Sequence, residues 1–305
     1  MPHDHAHGHH HVDPDAGDRA VAAAVGVNVA LTVAEIVGGL LSGSVALIAD
    51  AVHNLSDAAS LGIAWFARRI GRRPTDATMT FGYKRAELVA ALINLTTLIV
   101  IGLYLIYEAV QRFFAPVEVS GWLMIWVSVF ALIVDAVTAW LTYRLSKESV
   151  NIRAAFLHNV ADALGSVGVI VTGLLIVSFG WSWADPLATL LIAGYILWMA
   201  VGEIRGVIRT LMLGTPPGIE PDEVLAAMET VEGVASVHHL HIWQISERVV
   251  SLEAHLVTDA ETLPQIARVK GRLRDMLHTR FEITHVTLDA ETPELACAHP
   301  ARIGS

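Results

Sequence analysis

The sequence predicts a polytopic α-helical membrane protein with six transmembrane helices, followed by a small cytoplasmic α+β domain of order α-β-β-α-β. Three observations carry that prediction. Of 305 residues, 54% are hydrophobic and 16% charged, against about 45–50% and about 25% in soluble domains. The apolar residues gather in six segments, roughly 20–41, 45–66, 87–109, 121–143, 155–179 and 184–204, each near the ~20 residues that carry a helix across a bilayer. Close to residue 210 that pattern stops, and shorter amphipathic and alternating segments replace it.

Taken in order, residues 1–18 form a polar, histidine-rich stretch too short to fold, which reads as a flexible metal-collecting arm built on His3, His5, His7, His9, His10 and His11. It lacks the basic flank and small-residue cleavage site of a signal peptide, so the first apolar segment is a retained span. The membrane domain is expected over 19–210. Its 2–3 connection carries Arg68, Arg69, Arg72, Arg73, Lys84 and Arg85, and its 4–5 connection Arg144, Lys147 and Arg153. The opposite connections are nearly free of basic residues, and Trp122, Trp126, Trp181 and Trp183 fall at those ends. By the positive-inside rule both termini are cytoplasmic.

The cytoplasmic domain is expected over 211–292. Pro216-Pro217-Gly218 marks the break, and 220–230 reads as a capped helix. Residues 234–245 and 249–257 read as a hairpin around Glu247-Arg248, 264–279 as an amphipathic helix and 283–290 as a last strand. That order implies a three-stranded sheet with two helices on one face. Residues 293–305 read as a flexible end. From residue 214 on there are 14 acidic and 7 basic residues, so this region holds −7 of the net −10. Such acidity attracts cations and disfavours nucleic acid, whose phosphates need a basic surface.

The histidines point to the chemistry. Of 15, six lie in the arm, seven in the tail and two in the membrane segments. Those two are His53, in His53-Asn54-Leu55-Ser56-Asp57, and His158, in His158-Asn159-Val160-Ala161-Asp162. Residues i and i+4 share a helix face, so each span presents an imidazole beside a carboxylate. A charged side chain near the bilayer centre costs at least about 2.5–3.5 kcal/mol, so it marks a site or a partner. Two such pairs supply two nitrogens and two oxygens, a tetrahedral set suited to zinc. Asp50 and Glu35, with Asn28, Glu87, Asn94 and Asp135, extend the polar interior, and Asp50 and Glu35 are candidates for an ion path.

Other classes are disfavoured. The single cysteine, Cys297, excludes a disulfide framework and a thiolate-rich zinc site. With His299 it could form a weak ligand pair, but a lone late cysteine reads as inert. No Gly-x-x-x-x-Gly-Lys loop precedes Lys84, Lys147 or Lys270, so there is no sign of ATP drive. The His-Glu-x-x-His helix of a zinc protease is absent, and a four-ligand site leaves no place for a catalytic water, so no enzyme is expected. A membrane-anchored metal sensor or binding protein without transport is the alternative; it leaves the buried carboxylates unexplained.

The chain resembles the cation diffusion facilitators, in particular their zinc-exporting branch of the bacterial cobalt-zinc-cadmium efflux type. The resemblance rests on Ser44 to Asp57, on Phe81-Gly82-Tyr83-Lys84-Arg85, on His158 to Asp162, and on Val237-His238-His239-Leu240-His241-Ile242-Trp243. It implies that His53, Asp57, His158 and Asp162 hold the transported metal in a homodimer that contacts itself partly through the tail. It further implies an accessory metal site at His238 and His255, with Glu291 or Asp289 as the acidic partner. Zn2+ is then substrate and regulatory ligand, protons are the counter-ion, and no organic cofactor is needed. Because zinc binds neutral imidazole and ionised carboxylate, protons and metal compete for one site. The expected protein is a proton-coupled zinc exporter of the cell (inner) membrane, with Cd2+ and Co2+ as further cargo, working by alternating access.

Overall fold

The structure, a computed structural model, describes residues 14–145, 150–246, 249–294, 296–297 and 301–304. The histidines of the arm, and His299, lie outside the described residues. Six long helices come first: α1 (Pro14–Ser42), α2 (Val45–Gly71), α3 (Ala86–Phe114), α4 (Gly121–Leu145), α5 (Val150–Phe179) and α6 (Ala184–Leu211). Then follow α7 (Pro221–Glu229), β1 (Ser236–Ser246), β2 (Val249–Val257), α8 (Leu263–Phe281) and β3 (His285–Glu291), the order expected from the sequence. The chain forms two compact units, one of residues 1–63 with 94–201, the other of 64–93 with 202–305.

The six long helices, most of whose length lies in the first unit, are the transmembrane set. Among the described residues, α3, α6 and the stretches Gly121–Trp140 and Asn159–Phe179 are long and apolar enough to span a membrane outright. Helix α2 carries Asp50, His53, Asn54 and Asp57 through its middle, which lowers its hydropathy. Helices α4 and α5 pack with their backbones close. A Cβ at Gly121 would sit 2.9 Å from the Gly173 carbonyl, and one at Gly173 3.1 Å from the Gly121 carbonyl. Small residues allow this approach where lipid supplies no hydrophobic drive between helices.

The start of α2 is capped from a distant helix. Asp185, in the first turn of α6 and fully buried, accepts hydrogen bonds from the Ser44 hydroxyl (2.5 Å) and from the amides of Val45 (3.0 Å) and Ala46 (3.3 Å). These amides lack intrahelical partners, and an acceptor is obligatory at a buried helix end. Arg112 of α3 lies 3.9 Å from the same carboxylate and donates to the Gly43 carbonyl. Helices α2, α3 and α6 are thereby tied at one end.

In the second unit β1 pairs antiparallel with β2, and β2 parallel with β3, in the order β1-β2-β3. The parallel pair needs a crossover, which α8 supplies. Helix α8 begins in a capping box, Thr262 with Gln265, and ends where Glu282 turns left-handed at φ 57°. Val224, Leu225 and Met228 of α7 and Val269, Leu273 and Leu277 of α8 pack with Leu240, Ile242, Leu252, Leu256 and Leu288 of the sheet in one core.

The register of β1 against β2 breaks between His238 and His241, and His239 adopts φ 50°. This bulge leaves backbone groups unmatched by β2, and the end of the chain takes them. His239 donates to the Ala301 carbonyl (2.9 Å), Leu240 to that of Arg302 (3.2 Å), and Gly304 back to that of Leu240 (3.2 Å). The flexible end expected over 293–305 is corrected for residues 301–304, which are tied beside β1 because a bulged strand offers free partners.

Two candidate metal centres

The first centre lies between α2 and α5. Helical spacing places His53 and Asp57 one turn apart on α2, with His53 Nε2 3.7 Å from Asp57 Oδ2. Asp162 of α5 brings Oδ1 to 3.3 Å from the same nitrogen. Each of the three offers a ligand atom within 4.8 Å of the others. The His53 and Asp162 side chains are 10% exposed and Asp57 25%, so Asp57 is the most accessible of the three. His158 lies on α5 one turn before Asp162; its side chain is outside the described residues.

Around this cluster stand further carboxylates. Asp50, one turn earlier on α2, is buried, and its Oδ2 has no hydrogen-bond partner. It lines, with His53, Asp162, Thr172 and Tyr195, a cavity of about 500 Å³ between α2, α5 and α6. Glu35 of α1 is fully buried and accepts a hydrogen bond from Asn54 (2.9 Å). Asp135 of α4 accepts one from Ser166 (3.3 Å). Asn94 of α3 donates to Ser56 (3.3 Å). Buried polar residues of α1, α2 and α4 thus accompany the cluster, as happens in α-helical spans where polar side chains avoid lipid.

The second centre lies on the sheet of the tail. His238 and His255 are register partners on β1 and β2. His255 Nδ1 is 2.7 Å from Glu291 Oε1, and His238 Nε2 is 3.3 Å from Glu291 Oε2. Burial depresses the pKa of His238, neighbouring His255 and His239 add to the effect, and Glu291 opposes it. The ring therefore favours its neutral, metal-binding form. Asp289, the other acidic candidate on β3, is exposed and outside this cluster; Glu291 takes the place. Cys297 was expected to be inert, but its Sγ lies 3.9 Å from His255 Nδ1 and 3.8 Å from Glu291 Oε1. His241 and His285 are exposed. His239 is not a member of the group and instead places Nδ1 3.0 Å from the Gly304 carbonyl.

Sequence reasoning missed Asp185 and the position of Cys297. The signal for Asp185 was an acidic residue opening an apolar helix, together with a serine, Ser44, at the start of another.

The family model described as the cation efflux transmembrane domain matches residues 21–212, and that for the cation efflux protein cytoplasmic domain matches 216–293. The cadmium, cobalt and zinc/H(+)-K(+) antiporter of Bacillus subtilis is 40% identical over 261 residues, 85% of this chain and 84% of that one. The zinc transporter ZitB of Escherichia coli is 34% identical, covering 95% of this chain and 93% of its own length. Among solved structures, the metal-bound C-terminal domain of the CzcD transporter from Cupriavidus metallidurans is 37% identical, covers 24% of this chain and 99% of that one, and has a TM-score of 0.22.

Proposed function

The chain belongs to the cation efflux family of metal ion transporters, and from that premise we propose that it exports Zn2+, with Cd2+ and Co2+ as further cargo, from the cytoplasm in exchange for protons. The observation that carries this reading is the convergence of His53, Asp57 and Asp162 from two spans to within 4.8 Å, with His158 on the same helix as Asp162 as the fourth ligand. Imidazoles bind the ion in their neutral form and carboxylates in their ionised form. Two aspartates balance a divalent charge, and two protons restore the same balance when the ion leaves. A site of this kind, opened first to one face and then to the other, couples the two fluxes without ATP.

Asp50 and Glu35 form the ion path beside the site. Zn2+ also binds at His238, His255 and Glu291 as a regulatory ligand, and His3 to His11 collect metal ahead of transport. The protein is a homodimer of the cell (inner) membrane with both termini in the cytoplasm. Its arm covers 1–18, the membrane domain 19–210, the cytoplasmic domain 211–292 and the terminal segment 293–305. Loading zinc into proteoliposomes under an imposed pH gradient tests the reading. Flux is expected with the wild type and is expected to fall to the level of protein-free liposomes with Asp57→Ala. Equal flux in both, or flux indifferent to the gradient, overturns it.

A further inference from the structure

The sheet-borne centre of the tail has more donors than the accessory site just described, and the extra one comes from the end of the chain. Four ligand atoms, from His238, His255, Glu291 and Cys297, lie within 4.8 Å of one another. The His238 side chain is 4% exposed, and neither its Nε2 nor Glu291 Oε2 has a hydrogen-bond partner. These two atoms face one another at 3.3 Å, and buried polar atoms without a hydrogen bond are destabilising unless something pairs them. Zinc bonds of about 2.0–2.3 Å to nitrogen, oxygen and sulfur give tetrahedral edges of about 3.4–3.6 Å. The separations of 3.3 Å from His238 to Glu291 Oε2 and 3.9 Å from Cys297 to His255 lie near those edges, and Cys297 lies 3.8 Å from the other Glu291 oxygen, Oε1. The 2.7 Å contact of His255 with Glu291 Oε1 is shorter, so Oε2 is the oxygen that faces the ion.

We propose that Cys297 is the fourth ligand of a thiolate-containing metal site in the tail, complete within one chain, which takes a borderline or soft divalent cation such as zinc, cadmium or cobalt. This inference rests on the accessory-site reading above and deepens it. On ligation the thiol proton leaves to solvent and the thiolate binds the ion. The consequence for the fold follows from chain direction. Residues 301–304 are tied to β1 next to His238, and Cys297 stands between that tie and β3. Metal at this centre fastens the terminal segment to all three strands. Because the donor is sulfur, the site favours softer ions than the N2O2 set in the membrane.

Cobalt is the probe. The full-length protein in detergent, titrated with Co2+, is expected to show a sulfur-to-cobalt charge-transfer band in the near ultraviolet. The chain has one cysteine, so no other residue can produce it. Cys297→Ser is expected to abolish the band and to weaken zinc binding in the tail by more than about tenfold, since even partners of metal ligands are worth 10–100-fold. Asp57→Ala is expected to leave the band intact. Absence of the band from the wild type, or its survival in His238→Ala and Glu291→Ala, overturns the proposal. If those two variants also leave the amount of bound cobalt unchanged, the accessory-site reading falls with it. If they reduce bound cobalt while the wild type shows no band, only the thiolate ligand is lost.

Discussion

The two metal centres use overlapping residue types and are built in opposite ways. In the membrane, His53 and Asp57 share one helix face, and a second helix repeats the pattern, so the donor set follows from local spacing. In the tail, the donors come from three strands and the terminal segment, separated by up to 59 positions, and meet only through strand register and a bulge. The membrane set adds two carboxylates and no sulfur; the tail set has one carboxylate and a thiol. A transported ion has to leave, and carboxylate and imidazole donors hold a borderline or soft ion less tightly than a thiolate does. A thiolate at the sheet, as proposed for Cys297, would hold its ion longer.

That contrast is most sharply broken by exchanging the lesions. Asp162→Ala is expected to abolish zinc flux while leaving cobalt binding in the tail as in the wild type. The double variant His238→Ala/His255→Ala is expected to keep flux within a few-fold of wild type at saturating zinc and to lose the tail site. Loss of flux at saturating zinc in the double variant would make the two centres one functional unit and end the division of labour.

A smaller effect is expected from the cap of α2. Asp185→Ala removes the acceptor for the Ser44 hydroxyl and two helix-start amides and leaves them buried. The cost is on the order of 3 kcal/mol, read as a lower midpoint of thermal unfolding in detergent. Asp185→Asn keeps an acceptor oxygen and is expected to recover part of the loss. The same substitution is expected to leave the cobalt band of the tail unmoved, because that centre lies in the other compact unit. A shift of the band would show that the membrane helices and the tail site are not independent.

These elements also mark what was legible in the sequence. The i, i+4 pairs were, because a helix converts spacing into proximity without any knowledge of the fold. The six spans and the α-β-β-α-β order were, because hydropathy and period-2 alternation are local signals. The choice between Asp289 and Glu291 was not, since both lie on β3 and only the packed sheet separates an exposed carboxylate from one beside two imidazoles. Cys297 was not, because its place depends on residues 301–304 returning to a bulge at His239 some 60 positions earlier. Asp185 was not, because its partners are backbone amides 139 and 140 residues away.

The smallest effect concerns pH. The Asp76 carboxylate, in the connection from α2 to α3, accepts hydrogen bonds from the hydroxyls of Thr78 (2.6 Å) and Tyr83 (2.6 Å) and from the amides of Thr78 (2.8 Å) and Met79 (2.9 Å). Those bonds hold its pKa well below the usual carboxylate range. A depressed acid contributes stability that is complete above its unfolded value, about 3.9, and is lost only as pH falls through the lower folded value. The loop is therefore expected to keep constant protection against trypsin at Arg72 and Lys84 from pH 8 to pH 6, the range in which imidazoles titrate. Asp76→Ala is expected to raise cleavage there a few-fold at all these values. Any pH dependence of transport in that range then does not originate in this loop. If wild-type protection instead declines between pH 8 and pH 6, the loop itself senses pH, and the comparison has to include a third region. Arg85, at the end of this connection, donates to the Gln244 carbonyl of β1 (3.0 Å), so such a loop would report directly to the strand that carries His238.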